Sequence, residues 1–393
     1  MKIFLSSLAE LYCKTGILRI DRVFPNAVVI NGKNEETKVK TNKSTDKVKF
    51  YNLNLKNGST LSIGEDTILT TTDGEKKVQD IRPDDYILHK FSKINSSEGG
   101  AAINWEFILG ANANPIKVPK KMNKDLALWL GIVSAKGRYY EENGYVAVSL
   151  SDKVMGRLLH ELTIKLFKIK PKAYEDPKTG YTQHYIISRN LVRFLKSVLG
   201  VNSNLKKVPQ QLLEGSLEEQ VAFIRGLTLD GYIEQGCLVV YGGISKRLAD
   251  FAAIVLRSCG HSVYQQIRKS GQGNNVYYTK IISSHVDSLE VYALEPKKTE
   301  GIEPGGFLVK VTKPMLETKI SVNNPAYSAH RNLKQRGAKT CYNHTLDQLE
   351  INYPKDDYYV MVKEITTEVD SGFCVETDSD SLVYQGLVLG SCS

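Results

Sequence analysis

Two stretches about 95 residues apart share a pattern that could hold chemistry. They are Leu126-Ala127-Leu128-Trp129-Leu130-Gly131-Ile132-Val133-Ser134-Ala135-Lys136-Gly137 and Val221-Ala222-Phe223-Ile224-Arg225-Gly226-Leu227-Thr228-Leu229-Asp230-Gly231. Each is apolar at helical spacing and carries two glycines. Missing side chains at such positions let two helices approach backbone to backbone, which sets their C-terminal ends side by side. An Asp at each end would then bring two carboxylates into one small volume. Paired carboxylates beside a polyanion need a divalent cation, and phosphodiester hydrolysis is what two such sites near two strands could do. The second stretch has Asp230, whereas Lys136 takes the equivalent place in the first. Two core helices packed through glycines would explain either stretch taken alone; the repeat favours the chemical reading.

The elements that must position these residues repeat as well. Tyr145 to Val148 followed by an amphipathic Lys153 to Leu166 faces Leu238 to Tyr241 followed by Lys246 to Leu256. His184 to Ser188 before Leu191 to Leu199 faces Tyr278 to Ser283 before Val286 to Leu294. Each half is helix, strands, helix, strand, helix, and a pseudo-twofold pair matches the local twofold symmetry of duplex DNA. Outside this α/β region the text is all β. Ala27 to Ile30 leads to Asn31-Gly32, Val48 to Leu55 to Asn57-Gly58, and Thr67 to Thr71 to Asp73-Gly74, all hairpin signals. After Asn352 strands resume at Tyr358 to Ile365, Gly372 to Thr377 and Leu382 to Leu389. One β domain interrupted by an inserted α/β domain explains both ends. Leu8 to Tyr12 has the spacing of a short helix, with Cys13 as a buried structural cysteine after it.

Charge points to the partner: 52 Lys and Arg against 43 Asp and Glu give a net charge of +9, which favours nucleic acid. With 393 residues, 41% of them hydrophobic, the chain can bury a core in each of two or three domains, which excludes a wholly disordered protein. The 6 cysteines show no C-x-x-C pair, so neither a disulfide framework nor a zinc site is legible. The apolar run from Leu126 to Ala135 is about half of what a bilayer crossing needs. The start, Met1 to Glu10, is too short in apolar residues for a secretory signal, so an intracellular, non-secreted and non-membrane protein is expected.

The two glycine-bearing helices resemble the paired motifs of the LAGLIDADG homing endonucleases. Leu205-Lys206-Lys207-Val208-Pro209 looks like the basic segment that precedes the second helix in intein-borne members, and Ile244 to Gly260 like the block after it. The β regions are similar to an intein splicing (Hint) domain. Asn57 to Ile87 matches its N-terminal block B, and Gly372-Phe373-Cys374-Val375-Glu376 to Gly390 its C-terminal blocks. The resemblance covers nearly the whole chain. It implies a multidomain α+β protein in which an all-β intein-like domain, formed by both chain ends, is interrupted by a pseudo-twofold α/β endonuclease domain. The boundaries expected are 1–118 and 352–393 for the β domain, 119–318 for the endonuclease in halves 119–210 and 211–318, and 319–351 for a connector. That connector carries Arg331, Lys334, Arg336 and Lys339, as a DNA-contacting or solvated segment.

The resemblance implies Mg²⁺ held by Asp230, a catalytic set of Asp230, Lys136 and Lys207, and a monomer acting on double-stranded DNA. Arg138, Lys206, Lys246, Arg268, Lys269 and Lys280 are the candidate phosphate contacts. It also implies flanking extein segments if the chain belongs to a precursor. The chain departs from the family at the sites of chemistry. Lys136 brings a positive charge to one metal position, and the second motif is one residue shorter between its glycines. The Thr and His usual in block B fall near Ile63 and Asp66, and the junction is Gly390-Ser391-Cys392 where the family has His-Asn before Cys, Ser or Thr. Three readings stand: a homing endonuclease with cleavage reduced to nicking or lost and splicing inactive, an intein precursor with altered junctions, or a non-catalytic DNA-binding module.

Overall fold

The computed structural model describes residues 2–90, 99–103, 116–282, 308–310, 315, 317, 331, 340–342 and 357–391. Within these it leaves out 8, 15, 34, 151–152, 176–180, 201–205, 229–230, 235–236, 260, 262, 380 and 385–386. In chain order the first strands are β1 (Lys2–Ser6), β2 (Glu10–Cys13), β3 (Gly16–Arg19), β4 (Val28–Ile30), β5 (Glu36–Leu55), β6 (Thr60–Gly64), β7 (Thr67–Thr71), β8 (Gly74–Lys77) and β9 (Tyr86–Lys90). Then come α1 (Lys124–Lys136), β10 (Gly137–Tyr140), β11 (Tyr145–Leu150), α2 (Lys153–Phe167), β12 (Lys172–Glu175), β13 (Thr182–Ile187), α3 (Arg189–Leu199) and α4 (Gln210–Leu213). They are followed by α5 (Leu217–Leu227), β14 (Ile233–Glu234), β15 (Cys237–Gly243), α6 (Lys246–Ser258), β16 (Val263–Lys269) and β17 (Asn275–Ile282). The last are β18 (Leu308–Lys310), β19 (Thr340–Tyr342), β20 (Asp357–Thr377), β21 (Ser381–Tyr384) and β22 (Leu387–Ser391). No described helix is long and apolar enough to cross a membrane.

The chain forms two compact units, one of Met1–Ile94, Arg257–Tyr264 and Pro304–Ser393, the other of Asn95–Leu256 and Gln265–Glu303. In the first, both chain ends enter one antiparallel sheet of 14 strands. Its spine is β5 against β20, paired from Val362↔Leu55 to Thr377↔Val39 with three register shifts. β1 lies along β20 (Leu5↔Phe373) and β22 along β7 (Leu389↔Leu69). Alternation decides the core: Ile3, Leu5, Leu53, Leu61, Ile63, Val375 and Leu389 all point inward. The predicted turns are where the hairpins close. Gly58 at φ +81° and Gly74 at φ +112° occupy the left-handed region that glycine tolerates, after Asn57 and Asp73.

Two local expectations are corrected here. Of the stretch Leu8 to Tyr12, Glu10 to Tyr12 are strand and not helix: β2 runs Glu10–Cys13, pairs with β3, and buries Leu11 and Cys13 on alternate positions. A five-residue stretch cannot distinguish the two periods, and the neighbouring strand decides. Tyr358 to Ile365 and Gly372 to Thr377 are not separate strands but parts of β20, because β5 offers a partner along the polar stretch between them.

The second unit has two four-stranded antiparallel sheets, ordered β10-β11-β13-β12 and β14-β15-β17-β16. The order is the same in both, counted from each half's first strand. Asn123 caps α1 by accepting from the Leu126 N–H at 2.9 Å, and Ser216 with Glu219 forms a reciprocal capping box on α5. The predicted helices from Lys153, Leu191 and Lys246 are α2, α3 and α6; Val286 to Leu294 lies outside the described residues.

Candidate functional site

α1 is apolar around most of its circumference, and Leu126, Ala127, Trp129, Leu130, Ile132 and Val133 are fully buried. Trp129 packs on Phe167 with ring centroids 4.6 Å apart and donates its indole N–H to Thr163 Oγ1 at 2.8 Å. This fixes α1 against α2 and turns its glycine toward α5. A Cβ on Gly131 would lie 2.8 Å from Gly226 Cα and against the Phe223 carbonyl oxygen. One on Gly226 would lie 2.7 Å from Ile132 N and against the Leu128 carbonyl oxygen. The helices therefore cross backbone to backbone at Gly131 and Gly226, as the pattern predicts. Gly137 and Gly231 have a different task, for their added Cβ atoms would meet the Val133 and Thr228 carbonyls of their own helix ends.

Beyond this crossing the helices are unequal. α1 continues through Lys136, whereas α5 stops at Leu227 and Thr228 caps it. The motif shortened by one residue is thus the helix that ends sooner. Asp230, the predicted metal ligand, lies outside the described residues.

The end of α1 is occupied by Lys206. Its ammonium donates to the carbonyls of Ser134 at 2.7 Å, Gly137 at 3.0 Å and Val133 at 3.2 Å, and lies 5.7 Å from the Tyr139 ring centroid. Last-turn carbonyls carry the negative end of the helix dipole, so a cation belongs there. Burial pushes the Lys206 ammonium down to about 8, with the Arg138 charge adding to the effect. The backbone is held from the other side, where Ser245 Oγ donates to the Lys206 carbonyl at 2.6 Å. Lys206, a candidate phosphate contact from sequence, is only 5% exposed here, with its ammonium on these three carbonyls. Lys207, placed in the catalytic set from sequence, is exposed, and its neighbour supplies the ammonium at the helix end. The doublet Lys206-Lys207 gave no sign of which residue turns inward.

Each sheet has a face turned from the helices. In the first, His184 packs on Gly156 of α2 and its Nδ1 lies 2.9 Å from His160 Nε2, so Gln183 and Tyr185 point the other way. That outer face aligns Arg138, Ala147, Tyr185 and Lys172 in one row. Tyr140 stacks on Tyr145 at 4.6 Å in the next. Burial, and then the neighbouring His160, push the His184 imidazole down to about 4.

In the second sheet Thr279 donates to the Ala249 carbonyl of α6 at 2.9 Å, so Lys280 and Tyr278 face outward. There Glu234, which the sequence did not single out, gathers two predicted phosphate contacts. Arg268 donates to both its oxygens at 2.9 and 3.0 Å, and Lys280 donates to Oε2 at 2.5 Å. Gln266 Oε1 accepts from both cations at 2.9 and 3.0 Å. The Arg268 and Lys280 bonds hold the Glu234 carboxyl down at about 2. Arg268 and Lys280, candidate phosphate contacts from sequence, are thus paired on one carboxylate, and Lys280 is only 6% exposed. Arg138, Lys246 and Lys269 are exposed, with Lys246 bonded to Asp250 at 2.5 Å. Among the described residues no group of three or more His, Cys, Asp or Glu could hold a metal ion.

In the β unit the candidate splicing residues come together in part. Asp66 is exposed in the turn between β6 and β7, while Gly390 and Ser391 lie opposite Ile68 and Thr67. Cys392 lies outside the described residues. Ile63 is a buried core residue of β6. Cys13 is also buried, and burial alone pushes its thiol up to about 12, far from a reactive thiolate.

No family model matches the chain. Among curated proteins it is similar to the replication factor C small subunit of Methanocaldococcus jannaschii, 26% identical over 168 residues. The match takes in 41% of this chain and only 9% of the length of that relative. Among solved structures it is similar to I-DmoI in complex with DNA and Mn, at 17% identity and a TM-score of 0.33, covering 43% of this chain and 95% of that one. It is also similar to the MchDnaB-1 intein, at 16% identity and a TM-score of 0.20, covering 21% of this chain and 65% of that one. These are coarse likenesses of fold.

Proposed function

We propose that the chain binds a long stretch of duplex DNA in the manner of an intein-borne homing endonuclease, with cleavage reduced to nicking or lost and splicing inactive. One observation carries the reading: two helices cross at Gly131 and Gly226, each followed by a four-stranded sheet of the same strand order. Two like halves about one helix pair offer a duplex two like surfaces. The proposal keeps 119–318 as the DNA-binding domain, with halves at 119–210 and 211–318, 319–351 as connector, and 1–118 with 352–393 as the intein-like domain. It takes the protein as an intracellular monomer.

A divalent cation such as Mg²⁺ does not fit the end of α1. Its last turn, Val133 to Lys136, has no carboxylate, and the Lys206 ammonium already sits on its carbonyls. Asp230 is the one carboxylate the motifs offer, which supports the non-catalytic DNA-binding module as a second reading. In the β unit, Ser391 has no side-chain amide to cyclise and Gly390 no imidazole to assist it.

The experiment is binding of the whole chain to 30-bp duplexes enriched from a random pool, measured from 50 to 200 mM salt. About six phosphate contacts would weaken affinity roughly 10³-fold over that range. Absent or salt-insensitive binding refutes the reading. In a supercoiled-plasmid nicking assay with Mg²⁺, Lys136→Asp should raise cleavage and Asp230→Asn should abolish what exists; if Asp230→Asn cuts like the parent, the paired-helix site is wrong. Expressed between two flanking proteins, the chain should stay unspliced by mass; ligated flanks would refute the inactive junction.

A further inference from the structure

The second sheet's outer face carries more order than a phosphate-binding surface needs. Phosphate contacts work with long, mobile cations, since neutralising charge and releasing counterions require no fixed angle. Arg268 and Lys280 are not mobile. Glu234 takes the guanidinium in a two-pronged bond, the geometry that fixes the plane of an arginine, and takes Lys280 on the same carboxylate. Gln266 Oε1 accepts from both cations, which settles the orientation of its amide and turns Nε2 outward as a donor. Tyr278 lies under the pair, 4.9 Å from the guanidinium carbon and 5.8 Å from the ammonium.

Three of the five Arg268 N–H groups are engaged in these bonds, and two of the three on Lys280. Lys280 itself is only 6% exposed, so what remains at the surface is a small set of N–H donors at fixed points, from Arg268 and Gln266. The carboxylate also cancels one of the two positive charges. Such a face is weak for phosphate and suited to acceptors at fixed spacing. In the major groove the base edge made of acceptors alone is guanine, with O6 and N7.

We propose that Glu234 is a positioning residue for base recognition: together with the buried Lys280 it holds Arg268 and Gln266 as a fixed donor array that reads guanine edges in the half of the DNA target met by the second sheet. Among the described residues the corresponding row of the first sheet, Arg138, Ala147, Tyr185 and Lys172, holds no carboxylate, so the two halves read DNA by different means. The inference rests on the DNA-binding reading above and adds to it the identity of a reader.

The test uses the full chain and two 30-bp duplexes, one enriched from a random pool by the unmodified protein and one of the same composition scrambled. Glu234→Gln removes the anchor and leaves both cations. Its expected result is a salt dependence steeper by about one to two in log–log slope as the freed cations turn to phosphate. The preference for the enriched duplex should fall about tenfold. Glu234→Asp, which keeps the charge, should retain part of the preference. Arg268→Gln gives an independent reading should Glu234→Gln not fold. Preference should fall with the salt slope unchanged, whereas a slope shallower by about one would make Arg268 a phosphate contact and overturn the proposal. Substituting 7-deazaguanine for guanine in the enriched duplex should cost the unmodified protein its preference and leave Glu234→Gln indifferent. If the unmodified protein binds the enriched duplex and Glu234→Gln changes neither slope nor preference, this inference fails alone. If the unmodified protein binds neither duplex, the DNA-binding reading fails and takes this one with it.

Discussion

Replacing Gly226 by Ala should destabilise the helix pair and not, as helix propensity alone predicts, strengthen it. In an exposed helix the change would add about 1 kcal/mol. Here the new methyl would lie 2.7 Å from Ile132 N and 2.8 Å from Gly131 Cα, against backbone that no rotamer change can move aside. Relief requires α1 and α5 to separate by several tenths of an ångström within a core in which Leu130 and Phe223 are both fully buried. Overpacking of this kind costs about 1–3 kcal/mol, and backbone-on-backbone contact places it at the upper end. Subtracting the propensity gain leaves a net loss of about 2 kcal/mol, or a fall in Tm of about 4–8 °C for a unit of this size. Calorimetry on the whole chain reads this directly. Gly271→Ala is the control, because a Cβ there meets nothing within 4 Å. A Gly226→Ala protein as stable as the parent or more so would show that the helices do not touch at this point.

Two further predictions concern pH and the groups buried near the site. Lys206 titrates at about 8 in the folded chain, below its ordinary 10.5, so the unfolded chain binds the extra proton between those values. Stability should therefore rise with pH from about 8 to 10.5, and Lys206→Met should abolish that rise while leaving three carbonyls without their donor, at about 2 kcal/mol; urea titrations across pH that show no difference between the two proteins would refute the buried placement. His184 titrates at about 4 against an ordinary 6.5, so stability should fall as pH falls through that window, and His184→Gln should flatten the fall in the same titration.

Much of the framework was legible in sequence because its determinants are local. Helical spacing marked α1, α2, α3, α5 and α6, the Asn-Gly and Asp-Gly pairs marked the hairpin turns, and the glycines at 131 and 226 marked the crossing. The polar middle of β5, Lys38 to Lys47, was not legible, since a run rich in Lys, Thr, Asn, Ser and Asp reads as loop until β20 lies beside it. Side-chain fate was decided by tertiary structure alone. Lys206 and Lys207 are adjacent and chemically identical, yet one is buried under a helix end and the other is exposed. Arg268 and Lys280 lie in different strands from Glu234, and only sheet register brings the three together. A sequence gives the type and spacing of a charge, which suffice for periodicity. Whether that charge meets a phosphate, a carbonyl or a carboxylate depends on what folding places across from it, at distances no local pattern encodes.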